Sequence, residues 1–220
     1  MTGVFWILLS PFSFSQEKSA ATLFQEAYNA EQLGDVAEAF SLYVKSANKG
    51  NIEAQFNVGT MYEQGAGIAK NINKAKEFYE KAGEAGFAKG FYNLGVLANF
   101  PSAGETDFEK AAEWYLKGAE LGHAKSQNNL GALYNYGQGV EQDYAKAVEW
   151  YEKAANQGLP IAQYNLGMKY LNGQGVNQDR LRAYTWLEAA ALNDSLRAKF
   201  KLYELTKAHV LSNETQLLKT

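Results

Sequence analysis

Residues 123–158 read HAKSQNNLGALYNYGQGVEQDYAKAVEWYEKAANQG, which contains two helical patterns separated by a glycine-rich break. The first pattern has small or apolar residues on one face, at Ser126, Leu130, Leu133 and Tyr134. Gly137 and Gly139 interrupt this pattern, and Asp143 is a typical N-cap for the helix that follows. The second pattern has an apolar stripe at Ala147, Trp150, Tyr151 and Ala154. Gly158 can then end the helix in the left-handed conformation, so the segment is predicted to be a helix–turn–helix unit.

The same unit recurs every 36 residues along most of the sequence. Two positions show the register most clearly: one is held by Gly59, Gly95, Gly131 and Gly167, the other by Phe78, Trp114, Trp150 and Trp186. A fixed period in this range indicates a stacked array of repeats and not a globule with one central core. The register defines four repeats, at 51–86, 87–122, 123–158 and 159–194.

The segments that flank the four repeats also show helical patterns. Residues 16–50 form a shorter unit, in which Gly34 separates two helices and Asp35 is the predicted N-cap of the second. Residues 195–220 are predicted to be a capping helix and tail, which the open end of a repeat array requires. Within the array we expect one unusual turn, because Pro101, Ala103 and Gly104 replace the glycine pair there.

The register glycines lie inside predicted helices, where glycine costs about 1 kcal/mol relative to alanine. A cost repeated at the same position of each unit needs a compensation. The expected compensation is a close approach of the paired helix, which a Cβ atom would block. We expect the register tryptophans to fill the remaining space between layers.

The pattern resembles the Sel-1-like repeat, a relative of the tetratricopeptide repeat. The family pattern is approximately A-x-x-x-L-G-x-x-Y-x-x-G-x-G-V-x-x-D-x-x-K-A-x-x-W-Y-x-K-A-A-x-x-G. Residues 126–158 match it at nearly every position, with Ser126 in place of the first alanine. The first and fourth repeats match well, the second departs in its turn, and the hairpin at 16–50 is closer to a plain tetratricopeptide repeat.

This resemblance implies an all-α fold, a right-handed α-solenoid with a concave groove that is lined by the first helix of each repeat. It also implies an adaptor role, because members of the family act as adaptors and bacterial members are often exported. Cysteine-rich members carry a disulfide in each repeat, whereas this sequence has no cysteine. The protein therefore does not belong with them.

The first helices carry a candidate binding surface for a protein or peptide. One face repeats an asparagine every 36 residues, at Asn57, Asn93, Asn129 and Asn165. Tetratricopeptide grooves use asparagine at the corresponding place to hold a peptide backbone, since an amide both donates and accepts hydrogen bonds. Aromatic residues that could add apolar contacts precede three of them, at Phe56, Tyr92 and Tyr164. The alternative is that these asparagines bond the neighbouring repeat and fix the stacking.

Composition and motifs favour an interaction protein over other classes. The net charge is −3 without a basic cluster, so nucleic acid is not an expected partner. No phosphate loop, metal-ligand cluster or cofactor motif is present in the sequence. Ser46 and Lys49 form a Ser-x-x-Lys pair, which keeps a cell-wall or β-lactam-acting hydrolase as the alternative from another class. The companion motifs of such hydrolases are missing, and we predict a non-enzymatic scaffold.

Residues 1–15 are uncharged, and their apolar run is too short to span a bilayer, which takes about 20 residues. Pro11 followed by Ser13 and Ser15 resembles the end of a secretory signal, although a basic start is missing. We predict a signal peptide at 1–15 and a periplasmic or secreted protein with no stable membrane anchor. The alternatives are a cytoplasmic regulatory adaptor, or a segment that docks on the first helix.

Overall fold

The structure is a computed structural model that describes residues 17–101 and 104–217, with side chains through Lys207. The predicted signal at 1–15 and Ala103 of the unusual turn lie outside these residues. The described part of the protein is entirely helical, and its helices are α1 Ala20–Gln32, α2 Val36–Asn48, α3 Ile52–Gln64, α4 Ile72–Glu84, α5 Ala88–Asn99, α6 Phe108–Glu120, α7 Ala124–Tyr136, α8 Tyr144–Asn156, α9 Pro160–Asn172, α10 Arg180–Leu192 and α11 Leu196–Leu217.

Each helix packs against the helices before and after it in the sequence, so the core is distributed along the array. The pairs α1–α2, α3–α4, α5–α6, α7–α8 and α9–α10 are the hairpins, and α11 covers the last of them. The predicted all-α solenoid of helix–turn–helix repeats is confirmed.

Caps and turns define the ends of the helices. The carboxylates of Asp35, Asp107 and Asp143 accept hydrogen bonds from the first turns of α2, α6 and α8. Helices α3, α7 and α9 each end at a left-handed glycine, whereas α5 ends at Phe100 with φ −134°. The turn after α5 therefore begins differently from the others, as the sequence predicts.

Three register glycines, Gly59, Gly95 and Gly131, permit close contact with a tyrosine of the paired helix, and Gly167 permits the same with Leu187. A Cβ atom on Gly95 would lie 2.5 Å from two ring carbons of Tyr115, and one on Gly131 would lie 2.9 Å from the ring of Tyr151. The predicted close approach is confirmed. The residue that fills the space is not the register aromatic residue, however, but the one that follows it, a tyrosine in three repeats and a leucine in the fourth. Trp114 is half-buried and stacks on Phe91 instead, with the ring centroids 5.8 Å apart.

The glycine-rich turns hold neighbouring repeats together. Gly139 has φ 67°, and a Cβ atom there would collide with the backbone of Phe108, at the start of α6 in the preceding repeat. This contact leaves no room for a side chain. The Gly-x-Gly turn thus packs against the backbone of the preceding repeat and helps to stack the two repeats.

Candidate partner-binding groove

The four predicted asparagines occupy equivalent places on the first helices α3, α5, α7 and α9, and each is half-buried. Three of them approach the hydroxyl of a tyrosine in the preceding hairpin: Asn57 approaches Tyr43, Asn93 approaches Tyr79, and Asn129 approaches Tyr115. Burial raises the pKa of these tyrosines, and the nearby amides partly offset the rise by favouring the ionised form. The asparagines therefore lie where one repeat meets the next.

Asn165 makes a direct bond between repeats. Its Nδ2 donates to Oδ1 of Asn128 at 3.0 Å, and Nδ2 of Asn128 donates to Oδ1 of Asn129 at 3.2 Å. The three amides form a hydrogen-bonded series that joins α9 to α7. The stacking role that the sequence left open is thus present at Asn165, and an amide in this series keeps further donor and acceptor capacity for a ligand.

The predicted aromatic residues also lie at the junctions between repeats. Phe56 contacts the ring of Tyr79 at a centroid distance of 5.4 Å and that of Phe87 at 5.1 Å. Tyr92 lies 5.0 Å from the ring of His123. Tyr164 packs with the cluster around Leu187 in the equivalent place. All three predicted aromatics are half-buried, so only part of the surface of each is accessible.

A row of buried tyrosines lies beneath the asparagines, at Tyr43, Tyr79, Tyr115 and Tyr151. The hydroxyls of Tyr43 and Tyr79 donate to carboxylates of their own hairpins, Glu31 and Glu63 respectively. The later hairpins have an amide at that position, Asn99 or Asn135. The sequence analysis missed the hydroxyl row, although the 36-residue spacing of Tyr79, Tyr115 and Tyr151 is a signal that could have identified it.

The two later tyrosines have no hydrogen bond within the described residues. The hydroxyl of Tyr115 is buried beside the amides of Asn99 and Asn129, but neither makes a bond of good geometry, and Oδ1 of Asn99 is also unbonded. Tyr151 is only 2% exposed, and it faces a cavity of about 350 Å³ between α7 and α9. Burial is the main cause of the raised pKa of the Tyr151 hydroxyl.

Lys169 lines the same cavity and is itself only 6% exposed. Its Nζ donates to the side-chain oxygens of Asn135 and Gln174, and it lies 4.5 Å from the centroid of the Tyr144 ring. Burial lowers the pKa of Lys169. The sequence analysis did not select this lysine.

The remaining candidates for chemistry have structural roles. His123 caps α7, where its Nδ1 accepts from the backbone N–H of Ser126, and burial is the main cause that lowers the pKa of this histidine. The Ser46 hydroxyl is fully buried and donates to the Ala20 carbonyl at 2.6 Å. A second Ser-x-x-Lys pair in the sequence is formed by Ser15 and Lys18, and Ser15 lies outside the described residues.

The described residues contain neither a candidate metal site nor a candidate membrane span. Within 17–101 and 104–217, no group of three or more His, Asp or Glu side chains is arranged to hold a metal ion. None of the described helices is both long enough and apolar enough to cross a membrane.

Comparison with solved structures gives relatives of the same architecture. A protective antigen of uropathogenic Escherichia coli with an SLR fold superimposes with a TM-score of 0.79 at 30% identity, covering 87% of this protein and 42% of that one. A Sel1 repeat protein from Oxalobacter formigenes superimposes with a TM-score of 0.73 at 33% identity, covering 82% of this protein and 75% of that one. The present sequence thus spans less than half of the Escherichia coli antigen. No curated protein matched it.

A sequence model of the Sel1 repeat matches five segments that together make up most of the sequence. The matched segments are 27–51, 52–87, 92–123, 124–159 and 160–195. The second to fifth matches end at intervals of 36 residues, and the first begins within the hairpin predicted at 16–50. Proteins built from Sel1 repeats are generally scaffolds for protein interaction. The protein belongs to the Sel1 repeat family.

Proposed function

We propose that this protein is a non-enzymatic scaffold that binds a peptide or a segment of a partner protein along its concave face. The observation that carries the proposal is the repeated pair of a groove asparagine above a buried tyrosine, at Asn57/Tyr43, Asn93/Tyr79 and Asn129/Tyr115. The pairs recur at the repeat spacing, so polar groups follow the groove as a continuous row.

Such a row suits an extended peptide backbone, whose N–H and C=O groups alternate and whose hydrogen-bonding needs do not depend on its sequence. The asparagines are half-buried, which fixes their position while leaving part of each amide accessible. A site that is held in place before binding loses less side-chain entropy on association. The inter-repeat contacts of the asparagines therefore support a binding role and do not oppose it.

Side chains at the edge of the groove do not favour one charge. The equivalent positions at the start of the first helices are Glu53, Lys89, Lys125 and Ile161. A uniformly acidic or basic ligand would meet both signs along this line. Affinity is therefore expected to come from backbone hydrogen bonds and from individual subsites.

The test compares capture of proteins from the envelope fraction of the native host by three versions of the full-length protein. These are the unaltered protein, Asn93→Ala/Asn129→Ala, and the matched control Asn73→Ala/Asn156→Ala, whose asparagines are exposed on second helices. We expect the unaltered protein and the control to retain the same partner, and the groove variant to lose it. Melting curves of all three separate lost binding from lost folding. Equal capture by the groove variant and the control would place the site outside the groove.

A further inference from the structure

Comparison of the repeats with each other identifies one position where a charge replaces an apolar residue. The residues at this position are Met61, Leu97, Leu133 and Lys169, which are all buried. An apolar side chain satisfies this position in three repeats. Placing a lysine there removes its charge from water, which costs several kcal/mol unless an opposite charge is supplied.

The protein does not supply that opposite charge among its described residues. None of the ion pairs in this part of the structure includes Lys169. The ammonium has three donors, and two neutral acceptors, Asn135 and Gln174, occupy two of them. The face of the Tyr144 ring adds a favourable but neutral contact. A cation is thus fixed at the cavity with one donor left and its charge not neutralised.

A second group at the cavity lacks a partner independently of Lys169. The hydroxyl of Tyr151 has no hydrogen bond in the described residues, and unlike the enclosed hydroxyl of Tyr115 it is accessible at the cavity. In the first two hairpins the equivalent hydroxyls donate to Glu31 and Glu63. Here Asn135 replaces the glutamate, and its oxygen accepts from Lys169 instead.

Two hairpins of this protein thus place a carboxylate at the equivalent tyrosine hydroxyl. A lysine without an ionic partner favours a group of the same charge at this cavity. We propose that the cavity lined by Tyr151, Asn165 and Lys169 binds a carboxylate of the partner, either an acidic side chain or the C-terminus of a peptide. This proposal rests on the proposed function, since the cavity opens beside the groove residues Tyr164 and Asn165. The ligand carboxylate takes the place that Glu31 and Glu63 occupy in the first hairpins.

The preceding junction provides a natural comparison. Tyr115 faces Asn99 as Tyr151 faces Asn135, but Leu133 stands where the lysine would be. The Tyr115 hydroxyl is buried and unbonded, and its junction has no cation at this position. We assign the carboxylate subsite to the junction that contains Lys169 and not to this one.

The test uses three pools of synthetic decapeptides that have the same composition apart from their carboxylates. The first pool has free C-termini and no acidic residue, the second has amidated C-termini and contains Asp and Glu, and the third has amidated C-termini and contains Asn and Gln instead. Each pool is passed over the immobilised full-length protein, and retention is quantified by mass spectrometry. The first and second pools separate the two sources of a carboxylate.

Two variants remove the subsite with little disturbance of the fold. Lys169→Met restores the residue found at Met61, and Tyr151→Phe removes a hydroxyl that bonds nothing in the described structure. We expect the unaltered protein to prefer at least one carboxylate pool over the third pool. Each variant should reduce that preference about tenfold, because a charge-assisted hydrogen bond is lost. The matched control Tyr203→Phe, at an exposed tyrosine of α11, should leave the preference unchanged.

The outcomes distinguish this subsite from the groove as a whole. Equal retention of all three pools, or a carboxylate preference that survives Lys169→Met, would overturn the subsite. If the subsite were overturned but the Asn93→Ala/Asn129→Ala protein still failed to retain peptides, groove binding would stand without the carboxylate subsite. If no pool were retained better by the unaltered protein than by that double variant, the groove and the subsite would both fall.

Discussion

Substitution of Gly95 by alanine tests the packing that sets the spacing within each hairpin. The added Cβ would lie 2.5 Å from two ring carbons of Tyr115, whereas ordinary contacts begin at 3.4 Å. Tyr115 is 0% exposed, so its ring has no open space to enter, and α5 and α6 have to separate. Overpacking of this kind costs about 1–3 kcal/mol, and we take the upper end because two carbons clash. Alanine regains about 1 kcal/mol of helix propensity.

The net expectation for Gly95→Ala is a destabilisation of about 2 kcal/mol, or a fall in the melting temperature of about 4–8 °C for a protein of this length. Thermal melting followed by circular dichroism measures it. In a Tyr115→Ala background the clash is absent, and the same substitution should stabilise by about 1 kcal/mol through propensity alone. A Gly95→Ala protein as stable as the unaltered one would refute the reasoning, as would a destabilisation of equal size in both backgrounds.

Three further predictions follow from the junctions and the N-terminal segment. Lys169→Met should raise the free energy of unfolding by about 1–4 kcal/mol at neutral pH. Because burial lowers the pKa of Lys169 in the folded protein, this gain in stability should shrink as the pH rises from the folded pKa past the unfolded value of 10.5. Urea titrations at several pH values measure the gain, and a gain that does not change with pH would contradict the prediction. Asn165→Ala should cost about 1 kcal/mol through loss of the Asn128 bond, and little further in an Asn128→Ala background. The intact mass of protein from the native host should lack residues 1–15; a retained Met1 would exclude cleavage.

The repeat architecture could be predicted because it depends on local and periodic signals. The 36-residue register, the glycine breaks and the aspartate caps each specify structure within a few residues. Their recurrence then fixes how one hairpin stacks on the next. The close approach at Gly95 and Gly131 was predictable for the same reason, since only a spatial constraint explains glycine at one helical position in each repeat.

The arrangement of the candidate binding residues was less predictable because it depends on contacts between different repeats. The sequence could not show whether Asn165 faces a ligand or the preceding repeat, and the structure shows its bond to Asn128. It also could not show that Lys169 and Tyr151 share one cavity, since neither belongs to a known motif. In the sequence, Lys169 differs from the residues at the equivalent position of the other repeats, which are Met61, Leu97 and Leu133, and this difference is the only signal that identifies it.

The most direct test of groove binding is site-specific photocrosslinking in the native host. A photoreactive phenylalanine analogue is placed singly at Lys89 or Lys125, which are exposed on first helices at the edge of the proposed groove. It is placed for comparison at Glu77 or Glu149, which are exposed on second helices. The account predicts that both groove positions yield the same adduct, that the second-helix positions do not, and that Asn93→Ala/Asn129→Ala abolishes it. Adducts from Glu77 or Glu149 that survive the double substitution would contradict the account and place the partner on the convex face.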